Sequence, residues 1–191
     1  MGLKVITEPA TEPVTLVEAS LFIRYTQSLQ NDVITALITA ARLDVESWTN
    51  RTLVTTTYEY YVEDFSRCSP QEIQIPKSTI NSITSITYID GNGDTQTLEN
   101  TVYGFDNVSP INTVFLLPTQ SWPDVQTQPN AVKITFPAGY GNAAAVPENF
   151  KTVIKMRVAE LFEHREANTT APRHPNSMME ALLSISADYR F

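Results

Sequence analysis

Between Leu53 and Phe136 the chain changes texture, and that change limits what it can fold into. The stretch is rich in Thr, Val, Ile, Tyr and Phe and is cut repeatedly by Pro, Gly, Asn and Asp. LVTTTYEYYVEDF, TINSITSITYID, TQTLE, TVYGF, TVFLL and AVKITF all read as strands, several with the period-2 alternation of a half-buried strand. IDGNGDT, between two of them, reads as a hairpin turn. On both sides of this stretch the apolar spacing becomes helical. The pattern predicts an α+β fold, a small helical bundle from N- and C-terminal helices with an inserted antiparallel β region.

The helices carry their own start and stop signals. Thr15-Leu16-Val17-Glu18 is a capping box, and the helix it opens is expected to reach about Ser28. Asn31 or Asp32 is expected to cap a second helix with the stripe Ile34, Leu37, Ile38, Ala41, Val45 and Trp48, and Asn50 to stop it in a left-handed conformation. A third begins at Pro147, a residue tolerated in a first helical turn, and buries Phe150, Val153, Ile154, Val158, Leu161 and Phe162. ANTTAPRHPN reads as a loop. Ser177-Met178-Met179-Glu180 is a second capping box, opening a short helix through Ala181, Leu182, Leu183 and Ile185. The expected organisation is one domain over residues 1–191, with helices at about 15–50 and 147–186 forming the core and 53–140 inserted between them. Trp48 and Phe162 each complete an apolar stripe and are expected in that core.

Composition narrows the functional classes. At 42% hydrophobic and 18% charged residues the chain can bury a core. No apolar run approaches the roughly 20 residues a membrane-spanning helix needs. The first residues, MGLKVITEPATEPVT, lack the pattern of a secretory signal, and Ile6 stands where a myristoylation motif wants Ser or Thr. The chain is therefore expected to stay where it is made. The single cysteine, Cys68, sits in a polar stretch with no histidine beside it and reads as a loop thiol. A net charge of −8 argues against a grip on DNA through phosphate neutralisation, but not against DNA that merely passes by.

Each motif that imitates a chemical site fails on a specific residue. Gly139-Tyr140-Gly141 lacks the Lys and Ser or Thr of a phosphate-binding loop, and Pro147 delays the helix that a dinucleotide turn requires at once. Asp90-Gly91-Asn92-Gly93-Asp94 imitates the start of a calcium loop, yet Thr95 and Thr101 occupy the positions of its obligatory Gly and Glu. His164 and His174 are the only histidines, and no spacing adds the further ligands of a zinc site. Glu160, Glu163 and Glu166 stand near Arg157 and Arg165 at helical spacing, the mark of a paired, solvated face. There is no G-x-S-x-G elbow. No catalytic residue, metal or cofactor is expected.

Several stretches, taken in order, carry a resemblance. They are PVTLVEAS at 13–20, ITAARLDVESWTNRTLVTTT at 38–57, SITSITYIDGNGDTQTL at 82–98, SWP at 121–123, PNAVKITFPAGYG at 129–141, VPENFKTVIKMRVAELFEHRE at 146–166 and the terminal ALLSISADYRF. The chain resembles the head–tail connector (adaptor, or head-completion) proteins of long-tailed bacteriophages and gene transfer agents. Asn50 stands where Gly is expected after the second helix, a position Asn tolerates.

The resemblance implies a non-enzymatic virion protein of the neck, assembled in the host cytoplasm. It implies a ring, typically of about twelve copies, beneath the portal protein, which extends the DNA channel and presents a surface to the next neck or tail-completion protein. Twelve copies would carry about −96 in all, a charge that lets DNA slide through without specific binding. It also implies portal or subunit contacts near the C-terminus, at Leu183, Ile185, Tyr189, Arg190 and Phe191; Tyr and Arg are favoured at interface hot spots. Two alternatives stand beside it. One is another neck or tail-completion protein, a class that tends to be mostly β-barrel. The other is a β-rich soluble binding module using exposed Tyr58, Tyr60, Tyr61 and Trp122, although three tyrosines on one strand more often make a packing ladder.

Overall fold

A computed structural model of the chain describes residues 1–25, 27–65, 72–109, 111–164 and 177–184. Cys68, His174, Arg165, Glu166 and the last seven residues lie outside these. The chain divides into two compact units, Met1–Pro9 with Thr55–Gly139, and Ala10–Val54 with Tyr140–Phe191.

The first unit is β. Its larger sheet is antiparallel throughout, in the order β1 (Gly2–Thr7), β2 (Thr56–Val62), β8 (Val132–Ala138), β4 (Ser85–Ile89), β5 (Thr95–Thr97). A smaller antiparallel sheet runs β3 (Glu72–Gln74), β7 (Thr113–Leu116), β6 (Tyr103–Asp106). Alternation fixes the register of the two central strands. Thr56, Tyr58, Tyr60 and Val62 face inward from β2, and Val132, Ile134, Phe136 and Ala138 face inward from β8. Tyr58 lies opposite Phe136 and stacks on it at 5.8 Å between ring centroids. Ile73 and Val114 of the smaller sheet join the same apolar core. A one-residue slip would expose all of these side chains.

The β region is not purely an insertion. β1 comes from the extreme N-terminus and pairs with β2, Leu3 opposite Tyr60 and Val5 opposite Tyr58. GLKVIT gives no strand signal strong enough to foresee this. β3, three residues long, was likewise not expected.

The second unit is helical and draws on both ends of the chain, as expected. α1 (Leu16–Phe22), α2 (Asn31–Thr49), α3 (Glu148–Glu163) and α4 (Ser177–Ser184) share a core of Val14, Ala19, Ile34, Ile38, Ala41, Val45, Leu53, Phe150, Val153, Ile154, Val158 and Met179, among others. The Thr15 capping box forms in full: the Thr15 amide and hydroxyl both reach Glu18 Oε2 at 2.7 Å, and the Glu18 amide donates to Thr15 Oγ1 at 3.2 Å. Asn50 ends α2 in the left-handed region at φ 52.

Four details depart from expectation. α1 stops at Phe22, not near Ser28, because Arg24 adopts φ 55 and the Tyr25 amide turns back to the Ser20 carbonyl at 2.9 Å. This is the left-handed helix stop usually made by glycine. α2 starts at Asn31 behind Gln30, without a side-chain cap from Asn31 or Asp32. Pro147 stands one residue before α3, as its cap. Trp48 is not in the core; it is 52% exposed, with the Arg157 guanidinium 5.5 Å from its ring centroid. Phe162 is half-buried and packs against the core, in ring contact with Tyr25.

Candidate interaction surface

The motifs that imitate chemical sites are occupied by structure. The Asp90 carboxylate accepts from the amides of Asn92 and Asp94 and from the Gln96 amide group, which closes the hairpin between β4 and β5. Those hydrogen bonds, Gln96 foremost, hold its carboxyl below the usual range. Gly139 and Gly141 take φ of 127 and 114, followed by a 3-10 turn at Ala143–Ala145 that Asn142 caps. This is the corner the sequence suggested. His164 terminates α3, its amide bonded to the Glu160 carbonyl. Among the described residues no group of three His, Cys, Asp or Glu side chains could hold a metal ion, and no helix is long and apolar enough to cross a membrane.

The aromatic residues considered for a binding platform are divided. Tyr58 and Tyr60 are buried, so a platform of exposed tyrosines on β2 does not exist, and the packing ladder is correct. Tyr61 is half-buried and donates to Glu59, which also meets Lys133 at 3.3 Å. The bond from Tyr61 holds the Glu59 carboxyl below its ordinary range and pushes the Tyr61 phenol up. Trp122 is half-buried and stacks on Phe65 at 4.8 Å.

Charged side chains inside the helical unit hold its framework. Arg42, buried in α2, reaches Glu12 Oε2 at 2.8 Å and Glu46 Oε2 at 3.0 Å. Glu12 also accepts from Thr39, and Glu46 Oε1 accepts the Leu53 amide at 2.8 Å. Arg42 and Glu46 together thus fasten the segment before α1 and the segment after α2 onto α2. Arg157 of α3 bonds Asp44 at 2.7 Å and Glu160 at 2.8 Å, so Glu160 belongs to the paired face that helical spacing suggested.

Of the expected C-terminal contact residues, only Leu183 lies within the described part. It is half-buried against the helical core. Its helix is anchored by buried Met179 and by Asn149, whose side chain donates to the Leu182 carbonyl at 3.1 Å. Ile185, Tyr189, Arg190 and Phe191 fall outside the described residues.

The helical unit also exposes large apolar side chains that the sequence reading did not single out. Val17, Leu21 and Phe22 stand out from α1, Leu29 from the turn before α2, and Val33 and Leu43 from α2 itself. A groove of about 310 Å³ runs between Leu16, Val17, Leu21, Tyr25 and Asn31. The signal was present in the sequence as apolar residues left over once each helix's inward stripe had been assigned.

No protein-family model matches the sequence, and no curated protein sequence matches it. Solved structures do match. A chain in the neck of an empty gene transfer agent particle, computed with C6 symmetry, aligns over 100% of this chain and 97% of its own, with a TM-score of 0.81 and 16% identity. A chain in the virion of a native gene transfer agent particle aligns with the same coverage, score and identity. A third, in the neck of a native particle computed with C12 symmetry, has a TM-score of 0.76 at 16% identity. This chain has their fold. The likeness embraces both units and nearly the full length of the neck chains, and it agrees with the resemblance in sequence.

Proposed function

We propose that the chain is a structural, non-enzymatic virion protein of the neck. It is the head–tail adaptor, a ring beneath the portal that extends the DNA channel and joins head to tail. The observation that carries this reading is the whole-length likeness to chains of gene transfer agent necks. A mostly β-barrel neck component fits less well, because four helices form a core of their own here. The net charge of −8 per copy suits a channel through which DNA slides.

Within this reading the C-terminal segment from Leu183 to Phe191 docks on the portal or on a neighbouring copy. The anchored end of α4 is a firm base for that segment. Ile185, Tyr189, Arg190 and Phe191 then supply apolar, aromatic and guanidinium contacts of the kind that dominate interfaces. Deleting Ala187 to Phe191 tests this. The expected result is an unchanged unfolding midpoint with loss of portal binding in a pull-down with the portal protein of the same particle. A truncated chain that melts far earlier yet still binds the portal would make the tail a core element instead.

A further inference from the structure

We propose that the outward face of α2 is where one copy of this chain packs against the next. The proposal rests on the neck reading, which gives each copy two neighbours of identical sequence. A surface helix ordinarily turns charged and polar residues to water on the face opposite its buried stripe. α2 does not. Its buried stripe is Ile34, Ile38, Ala41, Arg42, Val45 and Glu46. On the opposite side Val33, Ala36, Ala40, Leu43 and Ser47 follow one another at alternating steps of three and four residues, and all are exposed, as is Leu29 in the turn just before the helix.

That spacing is the seam of a helix that packs on a second helix by knobs into holes. No ionisable side chain falls on it along the whole 19-residue helix; Asp32 and Asp44 lie to either side. Leu29 is 87% exposed, Leu43 52% and Val33 43%, while Ala36 and Ala40 leave room for close backbone approach. The inner stripe carries Ile34, Ile38 and Val45 beside the Arg42–Glu46 ion pair, and the outer stripe is largely apolar as well, the pattern of a helix covered on both faces.

The occupant is a second copy. Each copy carries −8, so copies repel at long range, and a seam without charge lets them approach at least cost. The neck chains that share this fold come from particles computed with C6 and C12 symmetry. A closed ring of more than two copies needs head-to-tail contacts, so the seam of one copy meets a different surface of the next.

The test uses full-length protein, alone and mixed with the portal protein of the same particle, with assembly read by native mass spectrometry. Ala40→Glu and, independently, Leu43→Lys put a charge on an exposed helical position, so circular dichroism and the melting midpoint should stay at wild-type values. The expected result is ring formation by wild type and at least a tenfold loss of rings in both variants. In a Cys68→Ser background, Ala40→Cys should give no disulfide between two copies. Rings formed equally by the variants, or a ready disulfide between two residues 40, overturn this interface and leave the neck reading standing. Wild-type protein that stays monomeric in both conditions overturns the neck reading, and this inference with it. Should one variant misfold, the other decides.

Discussion

Replacing Arg42 by Met probes the buried charges on which the helical unit depends. The Arg42 side chain is 5% exposed and bridges Glu12, 25% exposed, and Glu46, 8% exposed. Removing one partner of a buried ion pair costs roughly 3–5 kcal/mol, because a carboxylate is left inside without its guanidinium. Glu12 retains some access to water, which screens its share, so the lower end applies, about 3 kcal/mol. In a chain of this size about 1 kcal/mol shifts the melting midpoint by roughly 2–4 °C, so the variant should melt about 6–12 °C below wild type. Adding Glu46→Gln should restore about 1–2 kcal/mol, since the buried charge goes while a carbonyl oxygen remains for the Leu53 amide. Thermal and urea unfolding of wild type, both single variants and the double variant measure the cycle. A fall below about 2 °C for Arg42→Met, or further destabilisation on adding Glu46→Gln, would mean that Arg42 neutralises no buried carboxylate.

Thr15→Ala removes the capping box and should cost about 1 kcal/mol by urea unfolding. Hydrogen bonds from the Thr15 side chain, then its backbone, lower the Glu18 carboxyl from its ordinary 4.5, so that part of the stability is present above about pH 4.5 and is lost as pH falls through the folded value. The gap between wild type and Thr15→Ala should therefore narrow in acid; a gap that widens there contradicts the assignment. Gly141→Ala should cost about 1–3 kcal/mol in the same assay through backbone strain alone. Gly141 sits at φ 114 and an added Cβ would meet nothing nearer than 3.8 Å, so a neutral result would mean the corner relaxes freely.

The fold was legible where local chemistry decides structure. Thr15 with Glu18, Asn50, the Asp90 hairpin and the alternation of Tyr58, Tyr60 and Val62 each act over a few residues, and each formed as read. β1 was not legible, because what makes Gly2–Thr7 a strand is pairing with Tyr58 to Tyr61, more than fifty residues away. Arg24 hid the end of α1 by taking a left-handed conformation that its side chain does not advertise. Trp48 was misplaced for a single reason. Arg42 and Glu46 occupy the inner face of α2 as an ion pair, and a reading that sends charge outward turns the helix toward Trp48. The outer seam of α2 was legible only as Val33 and Leu43 left over from the inward stripe, since their exposure depends on how the helix is turned in the fold. The C-terminal contact at Leu183 to Phe191 stands as a proposal, resting on the resemblance and on the residue types Tyr189, Arg190 and Phe191.

Electron microscopy of this chain mixed with the portal protein of its own particle distinguishes a neck ring from a free-standing module. A neck adaptor should form a closed ring of copies stacked coaxially on the portal, with an open channel along the axis. Single copies scattered in solution, with the portal bare, would contradict it.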